Sequence, residues 1–290
     1  MKRIVVFATA FALILSLIIS AYADGNESCA VIGANLSDEQ VAQVYGYFGI
    51  ERGSVPELTV TNAEERQYLE GLVSEAVIGR NSISSVYVQM TESGSGINVT
   101  THNITWCTPE MYQNALETAG ITDASIVVAA PFAVSGTAAL TGIYKAYEHI
   151  TGDELDADAK IVSTEELTLT GELADLIGSE NAAAVISELK EILDETGKMS
   201  DEELKAAVEQ IAAEYDLVLT DSEMNRIIRW CRRLENLNMD SIVEQVGQIQ
   251  ETVSKVSRAK DKVVNFVTKV HNFFVTLSGY VKTIKSWFGK

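Results

Sequence analysis

The residues best placed to do chemistry are Val134-Ser135-Gly136-Thr137, two hydroxyls flanking a glycine where an apolar run meets a small-residue segment. If a helix starts there, its first amides lack intrahelical acceptors and could cradle an anion, making Ser135, Gly136 and Thr137 a candidate ligand-binding turn. Ser135 also invites comparison with a nucleophile elbow. That motif needs a glycine where Ala133 stands, and His102 and His149 are the only histidines in the surrounding domain. The favoured role is structural: Ser135 caps the helix, while Gly136, Ala138, Ala139 and Gly142 allow close packing on a sheet. No catalytic residue is assigned.

Cys29, Cys107 and Cys231 are the only cysteines. An odd count leaves at least one thiol over, and three pairings are possible; Cys29 with Cys107 is the preferred disulfide, since both belong to the N-terminal half. A Cys107–His102 thiol pair is the weaker alternative. None of the cysteines has metal-ligand neighbours at close spacing, so no metal is expected, and no motif implies a cofactor. Asp153, Glu154, Asp156 and Asp158 crowd one loop but lack the glycine and final glutamate of a calcium-binding hand, and read as a solvated acidic linker.

Charge is divided along the chain. From Asp24 to Asn225 there are 8 Lys and Arg against 36 Asp and Glu, a net of −28; from Arg226 to Lys290 there are 12 against 5, a net of +7. An acidic body repels polyanions, so a nucleic-acid partner is excluded. The basic end could meet an anionic membrane surface, an acidic cell-wall polymer, an acidic protein, or the body itself. The residues expected to make that contact are Arg226, Arg229, Arg232 and Arg233, then Lys262, Lys269, Phe273, Lys282, Lys285 and Trp287. From Ile242 to Phe288 apolar residues recur in steps of four and three with Lys260 the one interruption, a heptad seam that widens to include Phe266, Phe273, Tyr280 and Trp287. Packing on neighbouring helices, seeking a surface, and coiled-coil association are the three outcomes such a seam permits. Oligomeric state is not fixed by the sequence.

The elements that must position these residues can be read in order. Met1-Lys2-Arg3, an apolar run from Ile4 to Ile19 and the Ala21-Tyr22-Ala23 triplet predict a secretory signal peptide over residues 1–23, cut after Ala23. Ser37 begins a helix that Gly49 ends. Leu58–Val60 is a short strand, and Thr61-Asn62 caps a helix carrying Leu69, Leu72, Val73 and Ala76. Ile83–Met90 and Ile97–Ile104 alternate as a hairpin across Glu92–Gly96. Thr108, Pro109 and Gly120 bound the next helix, and Ala124–Ala130 is a buried strand ended by Pro131.

This order is α+β, a ferredoxin-like β-α-β-β-α-β domain with extra helices over residues 24–151. A helical domain follows over 152–240, with starts at Thr164, Ser179, Ser200 and Thr220, and then an amphipathic basic helix or helical hairpin over 241–290.

Two segments, Asn114-Ala115-Leu116-Glu117-Thr118-Ala119-Gly120-Ile121-Thr122-Asp123-Ala124 and Pro131-Phe132-Ala133-Val134-Ser135-Gly136-Thr137-Ala138-Ala139-Leu140-Thr141-Gly142, resemble the exported bacterial proteins grouped as the domain of unknown function 1002 family. The resemblance implies a bacterial envelope or extracellular setting and brings no activity with it. The expected function is a non-enzymatic secreted or cell-envelope binding protein whose basic end contacts an anionic surface or partner. The alternative is an envelope hydrolase or small-ligand-binding protein using the Ser135-Gly136-Thr137 helix start.

Overall fold

Ser28–Gly33, a run of six residues buried almost throughout, forms strand β1 at the heart of the sheet. In the computed structural model, residues 28–92, 94–196 and 199–237 are described. The described residues divide into two compact units, with the division after Glu172.

In the first unit β1 is followed by α1 (Asp38–Phe48), β2 (Glu57–Val60), α2 (Asn62–Leu69) and the single turn α3 (Glu75–Ile78). Then come β3 (Ser85–Met90), β4 (Ile97–Ile104), α4 (Pro109–Thr118), β5 (Ala124–Val134), α5 (Thr137–Thr151) and α6 (Ala157–Ile177), which crosses the division between the units. Local signals set most of these ends. Ser37, Thr61 and Thr108 each accept the N3 amide of their helix while the N3 side chain answers the cap amide. Each such cap is worth about 1 kcal/mol. Gly49 takes the left-handed conformation that closes α1.

The α+β class stands, but the strand order is not ferredoxin-like. The sheet runs β2-β1-β3-β5-β4, with β1/β2 and β4/β5 parallel and β1/β3 and β3/β5 antiparallel. Three corrections follow. The strand β1 was not expected, because a fully buried run shows no alternation to mark it. It pairs beside β2, making β1-α1-β2 an adjacent crossover rather than a split one. Nor do β3 and β4 form a hairpin, since β5 lies between them. The apolar β5 is buried or half-buried at every residue through Ala130, whereas β4 alternates with exposed polar residues and is left at the edge.

The strand β5 also continues past Pro131. Its pairing with β3 ends at Ala129, and its register on β4 slips between His102 and Ile104, so Pro131 interrupts no regular ladder. Helix α2 stops at Leu69, short of Leu72, Val73 and Ala76, where Gly71 turns the chain.

Alternation along the strands separates two cores. Cys29, Val31, Val86, Val88, Ile126 and Val128 face Met111, Leu116, Leu140 and Ile143 of α4 and α5. Ala30, Ile32 and Ala129 face Val41, Val44, Tyr45 and Phe48 of α1 on the other side. Helices thus cover both faces of the sheet. At Gly142 a β-carbon would lie 3.1 Å from Val86 Cγ1, which is how closely α5 rides on the sheet.

Beyond the acidic loop, α6 begins at Ala157 and runs straight through Thr164, which is interior to the helix and fully buried. The first part of α6 is tied into the sheet unit: Ser163 and Thr164 meet the Tyr144 hydroxyl, and Glu166 accepts from Thr118 at 2.5 Å. The division therefore falls within α6 rather than at the loop.

The second unit contains α7 (Ser179–Thr196), α8 (Asp201–Glu214) and α9 (Asp221–Asn236); α8 and α9 follow the expected capping residues Ser200 and Thr220, whereas α7 takes Ser179 into its first turn. They bury Leu189, Leu204, Ile211, Ile227, Trp230 and Leu234. No helix among the described residues is long and apolar enough to cross a membrane. The expected signal peptide and the segment over 241–290, with Lys262, Lys269, Phe273, Lys282, Lys285 and Trp287, lie outside the described residues.

Candidate functional site

The turn from β5 into α5 is held by its own carbonyls. Val134 C=O accepts the Thr105 amide at 2.9 Å, Ser135 C=O the Cys107 amide at 3.0 Å, and Gly136 C=O the buried Tyr112 hydroxyl at 2.6 Å. Gly136 has φ +102°, and a β-carbon there would sit 2.5 Å from Ile104 Cγ2 and 2.6 Å from the Tyr112 hydroxyl. Only glycine satisfies both demands. Gly136, not Ser135, is the helix cap, and it offers no side chain. The Ala139 amide is served instead by Ser84 Oγ at 3.1 Å, reaching in from the segment before β3.

Ser135 and Thr137 are consequently available to each other and to a carboxyl. The Thr137 hydroxyl donates to Glu65 Oε1 at 2.5 Å, and Ser135 Oγ lies 3.3 Å from Thr137 Oγ1. Asn62 Nδ2 donates to the second Glu65 oxygen at 3.0 Å. Glu65 is 1% exposed, and burial raises its pKa, opposed by the hydrogen bonds from Thr137 and Asn62 and by the Arg66 charge. The Arg66 guanidinium spans Glu75 and the Gly79 carbonyl.

A pocket of about 260 Å³ opens onto this group, with Glu65, Gly79, Arg80, Ser84, Ser135 and Thr137 among its lining residues. It can hydrogen-bond a small polar molecule through hydroxyls, first-turn amides and a carboxyl. Neither histidine lines it. His102 stacks on Tyr47, 4.9 Å between ring centroids, and His149 is exposed near the end of α5. Among the described residues, a Ser135 nucleophile therefore has no imidazole beside it. Glu65 was not singled out from sequence. The available signal was its position four residues before Leu69, which places a carboxylate on the apolar face of α2.

The expected Cys29–Cys107 disulfide is corrected: all three cysteines are free and buried. Cys29 is on β1 and Cys107 follows β4, with β3 and β5 between. Through Val88 of β3, Cys29 is in register with Ile126 of β5, whereas the Cys107 amide bonds to Ser135 nine residues further along, about 30 Å of extended chain and well beyond the roughly 7 Å that a disulfide spans. Burial pushes the Cys29 thiol up to about 11 and the Cys107 thiol up to about 12, so both stay protonated at neutral pH. Cys107 belongs to the core on one sheet face, while His102 meets Tyr47, which packs on the other.

In the acidic loop, Asp156 Oδ1 accepts the Ala159 amide at 2.9 Å and serves as a helix cap. Among the described residues no cluster of three or more His, Cys, Asp or Glu side chains is arranged to hold a metal. On α9, Arg232 pairs with Asp201 at 2.6 Å and with Glu235 at 2.9 Å. Arg226 and Arg233 are likewise engaged, whereas Arg229 is exposed. The four arginines thus form no single free cationic face.

The fold and pocket define an α+β protein with a mixed five-stranded sheet and a polar pocket where the last strand meets its helix. The chain belongs to the family described as protein of unknown function (DUF1002), whose profile matches residues 32–256. It is 41% identical over 210 residues to the uncharacterized protein YpuA of Bacillus subtilis strain 168, covering 72% of each chain. No solved structure matches the chain significantly.

Proposed function

We propose that this is a non-enzymatic binding protein of the cell envelope or exterior whose basic C-terminal end contacts an anionic surface. The observation that carries this reading is how positive charge is distributed along the chain. In the acidic body Arg52, Arg66, Lys145 and Lys160 each sit in an ion pair with a carboxylate, at 2.5 to 2.9 Å. Arg232 is held by two carboxylates on α8 and α9. The body therefore repels anions, and attraction falls to the surplus of Lys and Arg that follows it in sequence.

Sedimentation with anionic and with neutral vesicles, with and without residues 241–290, tests this at low and high salt. Binding is expected only to anionic vesicles, only with the C-terminal segment, and to fall as salt rises. Equal binding without that segment would overturn the reading.

A second reading is favoured by the Glu65 pocket: capture of a small polar ligand by Ser135, Thr137 and the first amides of α5. Calorimetric titration with small carboxylates and sugars checks it, and loss of any observed binding in Thr137→Val assigns it to this pocket.

A further inference from the structure

The two edges of the sheet are treated differently. At the β2 edge the strand is four residues long, and its outward Thr59 carbonyl accepts Lys145 Nζ at 2.5 Å, with Glu64 holding the same ammonium. That edge is short and charged, two devices that discourage strand addition. At the other edge β4 is eight residues long, and no strand lies beyond it among the described residues. The Gly96 carbonyl turns to β5, accepting the Ala124 amide at 3.2 Å, and the Ile97 carbonyl turns away to Gln113 Nε2 at 2.9 Å. By alternation, Val99 and Thr101 present their N–H and C=O to the outer edge.

The composition of this edge says what fits it. Between Glu92 and Glu110 there is no Asp, Glu, Lys or Arg, in a chain where 22% of residues are charged. A strand that meets its own copy must be self-complementary, and a fixed charge at its centre would face its own image.

We propose that β4 is a pairing edge for a second copy of this chain. The two β4 strands run antiparallel about a two-fold axis at Thr100, joining both sheets into one. In that register Thr100 faces Thr100 of the copy, Val99 faces Thr101, and Asn98 faces His102. Residues of like sheet face are thereby kept together, and the outward groups of Val99 and Thr101 are satisfied. Thr–Thr and Asn–His pairs are compatible neighbours across strands. The run ends at Asn103, whose φ of +59° and whose bonds to Tyr47 and Ala130 bend the strand away. The net acidity of each copy opposes approach, so association strengthens as salt screens it.

Sedimentation velocity of the purified full-length protein, across the micromolar range, is the test. The wild-type chain is expected to pass from monomer to dimer. Thr100 is exposed, so Thr100→Glu and Thr100→Lys should fold normally by circular dichroism. Each alone should dimerise roughly fivefold more weakly, because like charges oppose across the axis, and an equal mixture of the two should recover the dimer. A wild-type monomer at every concentration, a dimer indifferent to both substitutions, or a mixture no better than either variant alone would each overturn the proposal.

Discussion

Replacing Thr137 by Val keeps the shape of the side chain but removes the hydroxyl that donates to Glu65 Oε1 at 2.5 Å. Both residues are almost fully buried at the wall of the pocket, and Asn62 is left as the other side-chain donor to the Glu65 carboxyl. A hydrogen bond to a charged buried group is worth about 1.5–3 kcal/mol, and the loss should fall in that range where Glu65 is ionised. The pH dependence has a definite sign. Burial raises the folded-state pKa of Glu65, so its contribution favours the fold at low pH and is lost as pH rises through the folded pKa. The Thr137 hydroxyl opposes that rise; without it the pKa climbs further, and the variant loses stability more steeply between acid and neutral pH. Urea unfolding at pH 5 and pH 8, followed by far-ultraviolet circular dichroism, should show a larger deficit at pH 8. In a Glu65→Gln background the cost of Thr137→Val should drop to about 1 kcal/mol and lose its pH dependence, as for a neutral bond. An equal deficit at both pH values, or simple additivity of the two substitutions, would refute the account of the site.

Gly136→Ala should destabilise the first unit by about 3 kcal/mol or more, since it combines a left-handed backbone with overlap against Ile104 and Tyr112; thermal unfolding measures it. All three thiols should resist alkylation at pH 8 in the native protein and react together in denaturant, because each is buried and held protonated; a mass shift in the folded state would contradict the burial.

Much of the local structure was legible from residue types. Ser37, Thr61, Thr108, Ser200 and Thr220 announced helix starts, and the structure shows each in a capping box. Thr164 carried the same signal and is not a start. Once the chain has begun a helix at Ala157, a threonine can return its hydroxyl to the Lys160 carbonyl and stay inside it. Ser135 misled in a similar way, since the cap went to Gly136 and the amide to a serine 55 residues away in the chain.

Residue types and their spacing were enough to set the α+β class, most helix boundaries, the acidic and basic division of charge, and the Ser135-Gly136-Thr137 turn as a place of special geometry. These follow from short-range chemistry: caps, glycine conformations, periodicity and counting of charges. It took the folded chain to show that β1 and β5 flank β3 in the interior of the sheet, that Glu65 reaches Thr137 from 72 residues away, and that Cys29 and Cys107 stand far apart. Strand order and side-chain meetings of this kind depend on which apolar faces bury each other best, a competition settled across the whole unit and carried by no local pattern.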